Sequence, residues 1–375
     1  MQFIATCAFG LEKLVYNEIK KLGLWVVGTE DGRVTFEGDA SAMIKTNLWL
    51  RCADRIQIRL GDGNAQTFDE LFELVSALPW EDFIGKDDPF PVLATSVRST
   101  LHSVPAIQSI VKKAVVTRLQ NAYKTDELSE KTEAFYQIHA RVNKDHFILT
   151  IDTSGDSLHK RGYRMKGNAA PLKETLAAAL VTLSDWSPER MLVDPFCGSG
   201  TILIEAAMIG TNMAPGLKRT FAFEKWPWVE ADQVAELRKE AKSAYVHQDL
   251  KIRGFDNDPF VLKIARDNAV KAGFHTLVFE EGDVRETDFA QFKNVTFVTN
   301  PPYGERLEDV PKVQRLYKDM GFRFKSAKDC SLFLMTSEEH FPDLFGRTAD
   351  KNRKLFNGKI RCYLFSFFGK QEAGK

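Results

Sequence analysis

Apolar residues recur along the chain in short blocks whose period switches between two and about 3.6, the signature of strands alternating with helices. From Phe3 to about Arg59, an apolar run leads into an amphipathic helix (Leu11, Leu14, Val15, Ile19, Leu22). Strand-like stretches follow at Trp25–Val27 and Arg33–Phe36, on either side of a turn at Asp31-Gly32. Next come a helix over 68–78, a strand over 92–97, a helix over 107–123 and a hairpin of 135–142 with 146–152, turning at Asn143-Lys144-Asp145. Both stretches read as α/β modules. The glycine-bearing segment KRGYRMKGNAAPLK, with five basic and no acidic residues, reads as a linker.

Beyond the linker, a helix over 172–183 precedes strands ending at Asp194, Asp256, Asp283 and Asn300, with helices over 201–208, 259–272 and 313–324 between or after them. Strand alternating with helix predicts a parallel, doubly wound sheet. A further strand at 330–336 and a closing hairpin at 354–368, turning at Asn357-Gly358, complete it. Domain limits are therefore expected at 1–65, 66–155, a basic linker over 156–170, and 171–375.

Composition narrows the class. A chain of 375 residues with 44% apolar and 27% charged residues builds more than one core. The opening stretch meets Glu12 and Lys13 before reaching signal-peptide length, and no later run approaches a membrane span, so a cytoplasmic protein with no membrane partner is expected. Five scattered cysteines without a CxxC or Cys/His pairing argue against a disulfide framework and against a metal site. The formal net charge is zero, yet residues 96–173 carry 13 Lys/Arg against 7 Asp/Glu, so the basic excess is concentrated in one region.

The chemistry sits on the strand ends. In MLVDPFCGSGTILIEAA a buried strand turns through Gly198 and Gly200 into a helix near Thr201, a turn that lets backbone N–H groups approach a ligand. The absence of a lysine argues against a phosphate loop. Asp256 in FDND is placed to accept ribose hydroxyls, and Asp283 in EGD adds a carboxylate on the same edge. Each aspartate alone reads equally well as a cap or loop residue; three in succession at strand ends do not.

In VTFVTNPPYGER, tandem prolines directly after a strand hold Asn300 and Pro301 extended and cannot continue a ladder. The Asn300 amide oxygen and the Pro301 carbonyl then present two acceptors to an exocyclic amine, with the Tyr303 ring placed to stack on its base.

DPFCGSGT, FDND, EGD and NPPYGER resemble, in order and placement, the motifs of the class I S-adenosylmethionine methyltransferases. HKRGYR, APLKETLAAAL, APGLKR and KLFNGKIRCYLF are most similar to the bacterial guanine-N2 methyltransferases of large-subunit ribosomal RNA, which carry a THUMP domain. The resemblance covers nearly the whole chain. It implies an α/β protein: a Rossmann-like methyltransferase domain with a mostly parallel seven-stranded sheet and C-terminal hairpin, preceded by ferredoxin-like and THUMP modules.

The resemblance further implies S-adenosyl-L-methionine held by Asp194, Phe196, Gly198, Gly200, Thr201, Asp256, Asn257 and Asp283. A base would be taken by Asn300, Pro301 and Tyr303, in RNA, expected to be 23S rRNA. Tyr303 stands where the related pyrimidine-C5 enzymes carry a nucleophilic cysteine, and Cys197 reads as a packing residue.

Candidate RNA contacts are Arg98, Lys112 and Lys113, together with Lys160, Arg161 and Arg164 of the linker. Arg118, Arg141 and Lys144 could extend the basic face, although a solvated helix explains Lys112 and Lys113 nearly as well. Phe221, Phe223, Trp226 and Trp228, interleaved with cations, read as a cap over the sheet more readily than as base-stacking rings. Three alternatives remain open: a tRNA guanine-N2 methyltransferase, an adenine-N6 DNA methyltransferase, and an assembly factor without catalysis. The sequence does not fix the oligomeric state.

Overall fold

The structure is a computed structural model that describes residues 1–164, 172–304, 309–327 and 329–369. Contacts divide the chain into two compact units. One comprises Met1–Thr6, Tyr16–Leu158 and Thr220–Glu240; the other comprises Cys7–Val15, His159–Arg219 and Ala241–Lys375.

The first eleven elements are β1 (Gln2–Cys7), α1 (Glu12–Lys21), β2 (Trp25–Glu30), β3 (Arg33–Glu37), α2 (Ala40–Trp49), β4 (Ala53–Asn64), α3 (Phe68–Ser76), β5 (Val92–Val97), α4 (Val104–Tyr123), β6 (Gln137–Asn143) and β7 (His146–Asp152). Their strands form one seven-stranded sheet in the order β2-β3-β1-β4-β7-β6-β5. The two modules legible in the sequence thus share a single sheet, joined where β4 pairs antiparallel with β7.

Neither α2 nor β4 was legible beforehand, for identifiable reasons. Helix α2 is apolar around much of its circumference, burying Ala42, Met43, Ile44 and Leu48, so it lacks an amphipathic period. Strand β4 ends in Gly61-Asp62-Gly63-Asn64, which reads as a turn. Those glycines instead admit α3 and its following turn: a Cβ at Gly63 would lie 2.2 Å from Leu74 Cδ1, and one at Gly61 2.5 Å from Leu78 Cδ2.

The later elements are α5 (Glu174–Leu183), β8 (Met191–Asp194), α6 (Thr201–Gly210), α7 (Ala231–Ser243), β9 (Ile252–Asp256), α8 (Pro259–Ala272), β10 (Val278–Glu281), β11 (Val295–Thr299), α9 (Val310–Phe324), β12 (Ser331–Thr336), α10 (Phe341–Phe345), β13 (Lys351–Asn357) and β14 (Ile360–Phe367). The sheet order is β10-β9-β8-β11-β12-β14-β13. Its first five strands are parallel, and β14 joins β12 antiparallel, carrying the hairpin. This is the doubly wound sheet expected from the alternation.

Strand order reverses between β8 and β11, and in open α/β sheets ligands bind outside the carboxyl ends of the strands at such a switch point. A core rich in phenylalanine, including Phe289, Phe297, Phe324, Phe341 and Phe367, fixes β11, β12, α9 and the hairpin beside it.

The aromatic insertion corrects one expectation. Phe221, Phe223 and Trp226 are buried, and they group with the first unit rather than with the unit that holds the methyltransferase sheet. Trp226 stacks on Tyr136 at 4.7 Å between centroids and donates its indole N–H to the Phe135 carbonyl at 3.1 Å. Trp228 meets Phe83 edge-on.

Candidate active site

The glycine turn after β8 is held from both sides. Gly198 and Gly200 adopt φ of +52° and +82°, in the left-handed region that glycine enters without a Cβ clash. The Gly198 N–H donates to Asp256 Oδ2 at 2.9 Å, so the carboxylate at the end of β9 braces the turn after β8. Gly254 makes that neighbourhood possible, since a Cβ there would meet Leu203 Cδ1 at 2.5 Å and Cys197 Cβ at 2.8 Å. Cys197 is buried, and burial beside Asp194 and Asp256 pushes its thiol far above the usual range. Its burial and the raised thiol fit a packing residue of the glycine turn.

Asp194 is wholly buried and accepts from Thr299 Oγ1 at 2.6 Å and from the Phe196 N–H at 3.0 Å. Burial dominates its titration and raises it to about 7, against the lowering effect of those two hydrogen bonds; the charge of Asp256 raises it further. Asp194 thus links the ends of β8 and β11. Asp283 accepts from Arg285 Nε at 2.9 and 3.0 Å, and the guanidinium holds its carboxyl below the usual range.

A cleft of about 750 Å³ opens at this edge, lined by Phe196, Asp256, Asn257, Asp283, Asn300 and Tyr303 among the predicted residues. Arg285, Lys312, Val313 and Leu316 also line it, and the sequence reading did not single them out. Asp194, Gly198, Gly200, Thr201 and Pro301 are not among its lining residues: Asp194, Gly200, Thr201 and Pro301 are buried, and Gly198 is partly buried in the turn.

In the Asn-Pro-Pro-Tyr loop, the Tyr303 hydroxyl donates to Asn300 Oδ1, a bond the sequence reading did not include. The sequence reading also missed Tyr317 of α9. Fully buried, it donates its hydroxyl to the Pro302 carbonyl at 2.8 Å and lies 2.9 Å from Thr336 Oγ1. The only signal for it was a polar-tipped residue on the buried stripe of an amphipathic helix, in phase with Val313 and Phe324. Residues 305–308, which hold Glu305 and Arg306 of the motif, lie outside the described residues.

The linker cations are mostly structural. Arg161 is buried with its guanidinium 3.5 Å from Glu205 of α6, and the Tyr163 hydroxyl reaches the same carboxylate at 3.3 Å. Arg164 pairs with Glu174 at 2.9 Å and donates to Thr201 Oγ1 at 3.1 Å, at the end of the glycine turn. Arg161 does not present its charge to solvent as an RNA contact would require, because the buried Glu205 needs it as a partner, whereas Arg164 is partly exposed while it serves Glu174. Lys160 is exposed, and residues 165–171 lie outside the described residues.

In the first unit, Lys112 sits 3.6 Å above the Phe90 ring and 3.0 Å from Glu130, and Arg118 pairs with Glu81, so both cations are engaged. Arg98, Lys113, Arg141 and Lys144 are exposed. No group of three or more potential metal ligands occurs among the described residues.

A parallel sheet with a glycine turn, carboxylates on successive strand ends and a proline loop at its switch point defines a methyltransferase. The chain belongs to the RMKL-like methyltransferase domain family, matched over residues 161–365, with an RlmL ferredoxin-like domain at 2–57 and a THUMP domain at 65–152.

It is 45% identical over 98% of its length to YpsC of Bacillus subtilis, provisionally named an RNA methyltransferase, covering 96% of that protein. It is 34% identical to the ribosomal RNA large subunit methyltransferase K/L of Vibrio parahaemolyticus over 96% of the chain, and spans only 52% of that protein. Among solved structures, SMU.472 complexed with SAH is 44% identical with a TM-score of 0.94, covering 99% of this chain and 98% of that one. A Listeria monocytogenes protein named as a predicted N6-adenine-specific DNA methylase is 46% identical with a TM-score of 0.92, over 98% and 96% of the two chains.

Proposed function

We propose that the chain transfers a methyl group from S-adenosylmethionine to the exocyclic N2 amine of a guanine in ribosomal RNA of the large subunit. The observation that carries this reading is the meeting of Asp256, Asp283 and Asn300 in one cleft at the switch point. A volume of about 750 Å³ suits a nucleoside-sized ligand together with an entering base.

The residues fit the cofactor. Asp256 offers acceptors for ribose hydroxyls, Asp283 for an adenine amine, and Phe196 an apolar wall; Gly198, Gly200 and Thr201 keep the turn open, and Asn257 lies on the rim. Bound there, S-adenosylmethionine would supply a methyl carbon on a positively charged sulfur, which leaves as a neutral thioether.

The chain's own task is to orient the amine. Asn300 Oδ1 keeps a second lone pair beside the Tyr303 hydrogen bond and accepts one amine hydrogen. Tyr317 takes the Pro302 carbonyl, which leaves that of Pro301 as the second acceptor. Two such bonds favour a pyramidal nitrogen whose lone pair points at the methyl carbon. Tyr303 thereby positions Asn300, and its ring still lines the cleft.

RNA as the substrate is supported by the THUMP domain and by the names of the K/L relatives. The name of the Listeria protein favours adenine N6 in DNA instead, and a proline loop of this kind serves either amine. The deciding experiment incubates the purified chain with labelled S-adenosylmethionine and unmodified 23S rRNA, then separates the nucleosides. N2-methylguanosine is expected, and an Asn300→Ala variant should lose most of the transfer. Label in N6-methyladenosine, or an undiminished Asn300→Ala variant, would overturn the assignment.

A further inference from the structure

The helix that follows the proline loop carries a second feature on its outer face. Lys312, Val313 and Leu316 of α9 line the cleft, so the helix starts at its mouth. Its inner stripe, Val313, Tyr317, Met320, Gly321 and Phe324, is buried. Gly321 presses so closely on the Phe345 carbonyl that a Cβ would lie 1.9 Å from it, so α9 is seated by backbone packing.

The outer stripe holds Arg315, Lys318, Phe322 and Lys325, all exposed, at intervals of three and four that stack on one face. Arg323 is exposed beside them. Among the described residues none of these four cations joins an ion pair, whereas Arg161, Arg164, Lys112 and Arg118 elsewhere all do. The single acid within α9, Asp319, is flanked by Arg285 of the cleft, whose charge it helps stabilise. In a chain of zero formal charge, four cations without an ion-pair partner among the described residues, set against the single acid Asp319, give this helix a local positive field.

Phe322, at 72% relative exposure, is the most exposed aromatic ring among the large apolar side chains described, and it sits in the middle of the cations. A stripe of cations with an aromatic among them is the pattern that tracks a phosphate backbone and stacks a base.

We propose that the outer face of α9 is the track along which single-stranded RNA enters the cleft, with Arg315, Lys318 and Lys325 on phosphates and Phe322 under a base. This rests on the RNA reading given above. It assigns strand guidance at the reacting base to the methyltransferase unit itself.

The test uses the full chain and an unmodified 23S rRNA fragment, with binding measured across a salt series. Each phosphate contact on a single strand contributes about 0.7 to the slope of log affinity against log salt. The double variant Arg315→Ala/Lys318→Ala should therefore lower that slope by about 1.4 and raise KM for RNA, with the affinity for S-adenosylmethionine unchanged. Phe322→Ala should weaken binding about fivefold or more, with the salt slope intact.

Lys239→Ala/Lys242→Ala on α7 is the charge-matched control. A slope equal to that of the parent in the α9 variant, or an equal loss in the α7 control, overturns the track alone. A parent that binds no RNA overturns the RNA reading with it.

Discussion

Removing one oxygen from Tyr317 tests whether the proline loop must be held to work. Tyr317→Phe keeps the ring, which packs edge-on against Phe341 at 5.0 Å, and deletes the hydroxyl that reaches Pro302 and Thr336. Thr336 is buried, and its hydroxyl still accepts from the Glu338 N–H at 3.1 Å. One hydrogen bond is worth about 1 kcal/mol net. The loss should therefore be about 1 to 2 kcal/mol, small enough that the domain stays folded given a typical total of about 5 to 15 kcal/mol.

The functional loss should exceed what stability explains. With the Pro302 carbonyl released, Asn300 two residues earlier keeps its Tyr303 bond but loses the backbone anchor of its loop, and a misplacement of about 1 Å can cost about 100-fold in rate. Urea unfolding gives the stability term and single-turnover transfer to RNA gives the rate. Cofactor affinity should stay at the parent value, because Asp256 and Asp283 sit on other strand ends. A variant destabilised as expected yet transferring at the parent rate would refute the positioning argument. So would a joint fall of cofactor affinity and rate.

Two further outcomes follow from the buried charges. Arg161→Ala leaves Glu205 buried without its partner and should cost about 3 to 5 kcal/mol, read from the shift of the urea midpoint; a loss below about 1 kcal/mol would mean the pair is not needed. Burial raises Asp194 from an ordinary 3.8 to about 7 in the fold, so between those values the native state holds the extra proton. Its contribution to stability is then full below about pH 4 and lost as pH rises through about 7. Asp194→Asn should remove that slope, so that parent and variant converge at low pH and the variant gains at pH 8. Identical pH profiles would show that Asp194 does not carry it.

The sequence determined the parallel order of the methyltransferase sheet, because strand–helix alternation leaves little choice of topology. It also placed Asp256, Asp283 and Asn300 near strand ends, where the switch point then gathers them. It could not show that both N-terminal modules share one sheet, because β4 ends in glycines that look like a turn until α3 is seen lying on them. Nor could it tell a buried cation from an exposed one. Arg161 and Lys160 are neighbours in a basic run, and only the fold turns the first toward Glu205. Tyr317 took its role the same way: its position on α9 fixed its burial, but its hydrogen bond to Pro302 exists only because packing brings that helix under the loop. Local pattern is written in the chain, whereas the partner of a buried polar group is chosen by residues distant in sequence.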